Sequence, residues 1–213
     1  VEAGSVRDVA ASYGALATRL GSIAPLIAVP GNCDDPAALA AAFPVPALAG
    51  VASLGANSVR VVNDAVAVIG LDSSIPGRYE GRLPTETLAW LETALAALPA
   101  GTPVLLAFHQ PPMPIGHASI DPLGLQEPDA LAALVAGEPR IVGILVGHTH
   151  GATSGSFAGR PVIVGPGIHS GMTLAQEAPS TPPSLLDFAV PPGIALHWVE
   201  GSTLTTHFRA IAG

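Results

Sequence analysis

Hydrophobic and polar positions follow two different spacings along the chain, and each spacing predicts a different element. Apolar residues at helical spacing predict helices over 6–20 and 85–98, the second with Thr85 as its cap. Shorter helices are expected over 36–43, where Pro36 suits the first position, and over 129–136. Short apolar runs between turn residues predict strands at 26–29, 58–62, 65–71, 104–108, 141–146, 154–158, 161–164, 194–199 and 203–208.

Two of these runs, 104–108 and 141–146, are almost continuously apolar, which is typical of strands that are buried on both faces. The Pro- and Gly-rich stretch 110–128 is expected to be a long loop. A chain of 213 residues is long enough for one sizeable core, and it shows neither repeats nor an internal boundary. We therefore expect residues 1–213 to form a single domain.

Potential metal ligands follow three of the predicted strands. Asn32 comes after the first, His109 ends another, and His148 and His150 follow the apolar run 141–146. Imidazole is the commonest metal-binding side chain, and catalytic clusters in α/β proteins favour the carboxyl ends of strands. These four residues are therefore candidate metal ligands, although Asn32 also suits a plain turn and the histidines could be polar residues where strands leave the sheet.

Composition narrows the possible partners. Only 11% of the residues are charged, lysine is absent, and the net charge is −8, which argues against a nucleic-acid binder that neutralises phosphates. A small phosphorylated substrate stays possible because a bound metal can supply positive charge locally. We expect no membrane span, since no apolar run approaches about 18 residues. The single cysteine, Cys33, excludes an internal disulfide and favours a reducing, cytoplasmic location.

Three motifs together resemble the calcineurin-like metallophosphoesterases. They are Gly-Asn-Cys-Asp at 31–34, His-Gln-Pro-Pro at 109–112 and Gly-His-Thr-His at 147–150. The spacing of these motifs is most similar to that of the class III cyclic nucleotide phosphodiesterases. The residues at 70–77 and 191–197 are also similar to that branch. The resemblance covers essentially the whole chain. It implies an α/β fold, a four-layer α-β-β-α sandwich of two mixed sheets flanked by helices.

The same resemblance implies a chemistry. Members of the family hold two metal ions, of Fe, Mn or Zn type, at the sheet ends, and they hydrolyse phosphodiesters by attack of a metal-bound hydroxide. Carried over to this sequence, Asn32, His109 and His148 would bind the second metal and His150 the first. The implied substrate is a small phosphodiester such as a 3',5'-cyclic nucleotide, and a homodimer is a further expectation.

The sequence departs from the family pattern in two ways. The Asp-x-His and Gly-Asp motifs are absent, so the domain is expected to lack its first strand, first helix and most of its second strand. We then expect the chain by itself to bind at most one metal ion tightly, to show negligible hydrolysis and to associate through an exposed sheet. Cys33 stands where the cyclic nucleotide branch carries a histidine that assists the leaving group. The catalytic role is assigned to Cys33, although a thiol is a weak donor and a small buried residue is the plainer interpretation.

Two other functions fit the same residues. The chain could be a metal-deficient, non-catalytic homologue that serves as an interaction domain. It could also be a nucleotidase or a glycerophosphodiesterase of the same superfamily, which only a panel of substrates separates.

Overall fold

The computed structural model describes residues 6–63, 65–174, 177 and 185–211. Within them lie the helices α1 (Val6–Gly21), α2 (Pro36–Ala42), α3 (Thr85–Ala97) and α4 (Asp129–Gly137), and a 3-10 turn over Asp121–Leu123. The strands are β1 (Ser58–Val62), β2 (Val66–Gly70), β3 (Gly81–Arg82), β4 (Val104–Ala107), β5 (Leu125–Gln126), β6 (Ile141–Val146), β7 (Thr153–Phe157), β8 (Arg160–Val164), β9 (Gly171–Met172), β10 (Leu186–Asp187), β11 (Gly193–Glu200) and β12 (Thr203–Ala210).

A six-stranded mixed sheet forms the centre of the molecule, in the order β1-β2-β4-β6-β8-β7. Its four inner strands are parallel, while β1 and β7 join the edges as antiparallel partners through hairpins. Parallel neighbours need crossover connections, and α3 and α4 lie in the connections that lead into β4 and β6. The expected α/β class is confirmed.

The predicted burial of the two central strands is also confirmed. All four residues of β4 are buried, and five of the six residues of β6 are buried. Leu106 and Ile144, which are fully buried, belong to the same hydrophobic cluster as Leu91 of α3 and Val135 of α4. A strand covered on both faces has no polar side to show, so its sequence is a continuous apolar run rather than an alternating one.

A second β-layer is present as the antiparallel hairpin of β11 and β12. Leu204 of this hairpin packs against Gly143 of β6, at a point where any side chain would collide with it. The opposite face of β11 exposes Ile194, Leu196 and Trp198, the last at 66%. In the described residues this layer has two strands, whereas the resemblance implied a second mixed sheet.

Three local predictions need correction. Residues 26–29 form no ladder with another described strand; Ile27 and Val29 instead pack by their side chains beside Gly70, so their apolar character reflects packing. Thr85 is the first residue of α3, and Pro84 takes the cap position because its backbone is extended, with ψ of 159°, and its carbonyl accepts the Leu88 N–H. The expected loop 110–128 contains the 3-10 turn and β5, which pairs with the distant β3.

No helix in the described part of the chain is long and apolar enough to cross a membrane. The turn between β1 and β2 includes position 64, which lies outside the described residues, as do positions 175, 176 and 178–184.

The central strands should carry most of the stability. Replacing Ile144 by alanine should lower the free energy of unfolding by about 2–5 kcal/mol, because the site is fully buried and the surrounding core cannot close the cavity. Ile194→Ala removes the same atoms from a position that is 40% exposed and should cost less than about 1 kcal/mol. Urea unfolding of both variants measures the difference, and equal losses would contradict this description of the core.

Candidate metal centre

The parallel pairing of β4 and β6 places two of the predicted ligands at the same edge of the sheet. His109 follows β4 after one residue, and His148 follows β6 after one residue. The Gly147 main-chain N–H donates to the His109 carbonyl across 3.0 Å, which ties the two strand exits together. Because parallel neighbours leave the sheet on the same side, the two imidazoles meet there. Their ring centroids are 5.1 Å apart.

Asn32 completes a compact group of three donor atoms, which we call the ligand triad. Its Oδ1 atom lies 2.8 Å from His109 Nε2 and 3.1 Å from His148 Nδ1. The two imidazole nitrogens are 3.3 Å apart. The structure therefore brings together three of the four candidate metal ligands, from positions as far apart in sequence as 32 and 148.

This geometry fits a bound metal ion. Two donors at a right angle around a metal, each at about 2.1 Å, are separated by about 3.0 Å. An amide oxygen only accepts hydrogen bonds, and a neutral imidazole carries one N–H, so three such atoms facing one another leave lone pairs that a cation would satisfy. Among the described residues no group of three or more His, Cys, Asp and Glu side chains is arranged to hold a metal. The third donor here is an amide, and amide oxygen with imidazole nitrogen suits Fe, Mn or Zn.

Burial keeps the two triad histidines neutral. The pKa of His109 falls from 6.5 to about 4, chiefly because the ring is buried and secondly because a charged His148 would repel it. The pKa of His148 is also lowered, first by burial and then by repulsion from a charged His150. Neutral imidazole is the form that binds metals, so both side chains are ready to do so at neutral pH.

The loop that carries Asn32 is anchored from behind by Asp34. One Asp34 oxygen accepts the Gly31 N–H at 2.8 Å, and the other accepts the Tyr13 hydroxyl at 2.6 Å. Tyr13 is a buried residue of α1, and its pKa is raised by burial and by this hydrogen bond. Neither residue was among the sequence-based candidates, although Asp34 closes the Gly-Asn-Cys-Asp motif and Tyr13 is the one hydroxyl on the apolar face of its helix.

Cys33 is exposed and lies beside the triad rather than within it. The Asn32 amide nitrogen Nδ2 contacts its Sγ atom at 3.3 Å. The sulfur thus holds the NH₂ end of the amide and leaves the oxygen directed at the histidines. The catalytic role assigned to Cys33 stays a prediction.

His150 is close in sequence but not part of the triad. Its Nδ1 atom is paired with the Ser170 hydroxyl at 2.7 Å, and its pKa is lowered by burial and by His169. Its expected role as a ligand of a further metal ion stays a prediction.

The turn that carries both histidines is strained. His148 has φ of 69° and His150 has φ of 57°, values that are uncommon for residues other than glycine. His148 Nε2 and Thr149 Oγ1 are also buried without a hydrogen bond. Strain and unsatisfied polar atoms of this kind concentrate at functional sites.

Removing a triad imidazole should weaken metal binding. Mn²⁺ affinity, measured by calorimetry, should fall more than about 100-fold in His109→Ala and in His148→Ala, because loss even of an outer-shell partner typically costs about 10–100-fold. His207→Ala serves as the control because His207 is exposed on β12, on the face of the hairpin opposite Leu204, which packs against β6. Unchanged affinity in both triad variants would exclude the site.

The stability of the metal-free chain should depend on pH through His109. Below pH 6.5 an unfolded histidine binds a proton, whereas the native His109 does so only near pH 4. The unfolded state therefore gains protons first, and the free energy of unfolding should fall as pH drops from 6.5 to about 4, by on the order of 3 kcal/mol.

His109→Gln should flatten this slope in urea titrations made in the presence of a chelator, and the slope that remains comes from His148, His150 and His197, whose pKa values are also lowered by burial. Val135→Ala, which removes no titratable group from a buried site, should lower the stability at every pH and keep the native slope. A native chain whose stability is constant between pH 4 and pH 6.5 would contradict the buried, neutral state of His109.

Comparison with known proteins gives the same family as the motifs. The chain is 36% identical over 130 residues to a glycerophosphodiester phosphodiesterase of Enterobacter lignolyticus. This match covers 61% of this chain and 46% of that protein. It is 33% identical over 162 residues to a probable cyclic nucleotide phosphodiesterase of Rhodopseudomonas palustris, covering 74% and 57%. It is 35% identical over 141 residues to a cAMP/cGMP dual specificity phosphodiesterase of Mycobacterium tuberculosis, covering 66% and 42%.

The chain thus spans about half the length of the curated relatives it matches. No family model matches it. The crystal structure of TT1561 from Thermus thermophilus aligns with a TM-score of 0.51 at 17% identity, over 93% of this chain and 79% of that one, which shows a shared fold. With its motifs, its mixed sheet and these relatives, which are named as cyclic nucleotide and glycerophosphodiester phosphodiesterases, the chain belongs to the calcineurin-like metallophosphoesterases.

Proposed function

We propose that this chain supplies a metal site to a phosphodiesterase that hydrolyses small phosphodiesters. The observation that carries the proposal is the ligand triad, in which donor atoms of Asn32, His109 and His148 lie 2.8–3.3 Å from one another. The names of the relatives support the same chemistry, because each is a phosphodiesterase.

The chain's own residues prepare the site for a cation. Burial keeps His109 and His148 unprotonated, so they offer lone pairs without first releasing protons. A metal ion held by the triad would polarise a phosphoryl oxygen and lower the pKa of water, which are the two requirements of hydrolysis without a Ser or Cys nucleophile. Fe, Mn and Zn all suit these donors. A second ion, with His150 among its ligands, is part of the proposal by analogy with the family.

The proposed substrate is a small diester, and a 3',5'-cyclic nucleotide is the first candidate because the motif spacing is closest to that branch. Glycerophosphodiesters are the second candidate, since one relative is named for that activity. The chain has no lysine and a net charge of −8, so a long polyanion would be repelled, whereas one phosphate can be held by the metal charge. The cytoplasmic location and the homodimer stay predictions.

Activity should depend on both metal and triad. The full-length protein is assayed with and without Mn²⁺ on bis(p-nitrophenyl) phosphate, cyclic AMP, a glycerophosphodiester and p-nitrophenyl phosphate. We expect metal-dependent hydrolysis of the diesters, weaker turnover of the monoester, and loss of activity in His109→Ala. Diester turnover that is independent of metal, or unchanged in His109→Ala, would contradict the proposal. Absence of diester hydrolysis at saturating metal would favour the non-catalytic homologue.

A second proposal concerns Cys33 and the departing oxygen. If position 33 protonates the leaving group, Cys33→His should raise turnover of cyclic AMP while changing little for the activated aryl diester, because proton donation matters most for strongly basic leaving groups. Cys33→Ala should have the opposite effect and lower the turnover of cyclic AMP. Equal effects on both substrates would instead mean that Cys33 only orients the Asn32 amide, through the 3.3 Å contact between Asn32 Nδ2 and Cys33 Sγ.

A further inference from the structure

A buried hydroxyl lies directly behind His109. Ser73 is fully buried, three residues beyond the end of β2. Its Oγ atom accepts the main-chain N–H of His109 at 3.2 Å and donates to Gln110 Oε1 at 2.7 Å. Gln110 is fully buried as well. In the sequence, Gln110 lies between His109 and two prolines. Neither Gln110 nor Ser73 was among the candidate site residues.

The hydrogen-bonding capacity of these groups fixes the direction of each bond. An amide oxygen can only accept, so the single Ser73 proton is committed to Gln110 Oε1. The Ser73 lone pairs are then free to accept from His109 N–H. A serine that rotated away would leave a buried N–H and a buried amide oxygen unpaired, which is costly.

Gln110 is in turn held by its surroundings. Its Nε2 atom donates to the Tyr79 carbonyl at 3.2 Å, and its side-chain amide lies against Gly81, where any side chain would collide with it. The Gly81 N–H donates to the Gly124 carbonyl at 3.2 Å. The short sheet of β3 and β5 therefore holds the Gln110 side-chain amide in place, next to the segment that leaves β4.

His109 is consequently fixed at both of its main-chain groups. Its N–H is bound by Ser73, and its carbonyl accepts from Gly147 at 3.0 Å. The ring lies against Gly31, where a Cβ atom would be 2.8 Å from His109 Cε1. With the backbone fixed and the ring confined, Nε2 has one direction to face, toward Asn32 and His148.

We propose that Ser73 and Gln110 are positioning residues that set the affinity of the ligand triad for its metal by fixing the direction in which His109 projects. The inference rests on the proposed metal site but extends it to two residues that were not among the candidate metal ligands. Neither residue contacts the metal position, so their effect would be on preorganisation of the triad.

The test is the Mn²⁺ affinity of four variants, measured by calorimetry on the chain with each variant's stability measured in chelator. Ser73→Ala removes both hydrogen bonds, Gln110→Met removes the acceptor with little change in volume, and Gly81→Ala displaces the Gln110 amide. Val135→Ala is the control, because it loosens the core from α4, whose end leads into the opposite end of β6. Removing an outer-shell partner typically weakens metal binding about 10–100-fold, and we expect this in Ser73→Ala.

Gln110→Met and Gly81→Ala should also weaken Mn²⁺ binding, whereas Val135→Ala should lose stability and keep affinity within about twofold. The proposal is overturned if Ser73→Ala keeps native affinity, or if Val135→Ala loses as much affinity as Ser73→Ala. Should Ser73→Ala not fold, the same criterion is applied to Gln110→Met and Gly81→Ala. Affinity near the wild-type value in both would equally overturn it.

The outcome separates this inference from the proposed function. A chain that binds Mn²⁺ and loses affinity in Ser73→Ala supports the positioning role even if the protein hydrolyses no diester. A native chain that binds no Mn²⁺ overturns the triad and the positioning role together.

Discussion

The parallel pairing of β4 with β6 is the constraint on which the site depends. It places His109 and His148 at one edge of the sheet, and the bond from Gly147 N–H to the His109 carbonyl continues the pairing just beyond the strands. The pairing itself is stable because both strands are buried: one face packs against the core of α3 and α4, and on the other face Leu204 of the β11–β12 hairpin packs against Gly143. The positions of the metal-binding side chains are thus a consequence of how the hydrophobic strands pack.

Close to this pairing, locally unfavourable backbone conformations and burial bring the metal-binding atoms together. His148 and His150 adopt left-handed backbone conformations, and His148 Nε2 is buried without a partner. Burial also lowers the pKa of His109 and His148, which disfavours folding in acid. Such costs persist only where the surrounding structure over-determines them, and a cation shared by three lone pairs would offset part of them.

Much of this could be predicted from the sequence, and what could not has a physical reason. The runs at β4 and β6 and the ligands that follow them were visible because burial and strand termination leave local patterns. Residues 26–29 have the pattern of a strand but lack a ladder partner in the described residues, and only tertiary pairing decides that. The Ser73–Gln110 pair was invisible for a similar reason, since its members are 37 residues apart and joined only by the fold.

Anomalous diffraction from crystals grown with Mn²⁺ or Zn²⁺ locates directly a metal ion bound at the triad. We predict one strong anomalous peak within about 2.0–2.3 Å of Asn32 Oδ1, His109 Nε2 and His148 Nδ1. A peak bound elsewhere, with the three atoms left facing one another, or no peak at saturating metal, would contradict the claim.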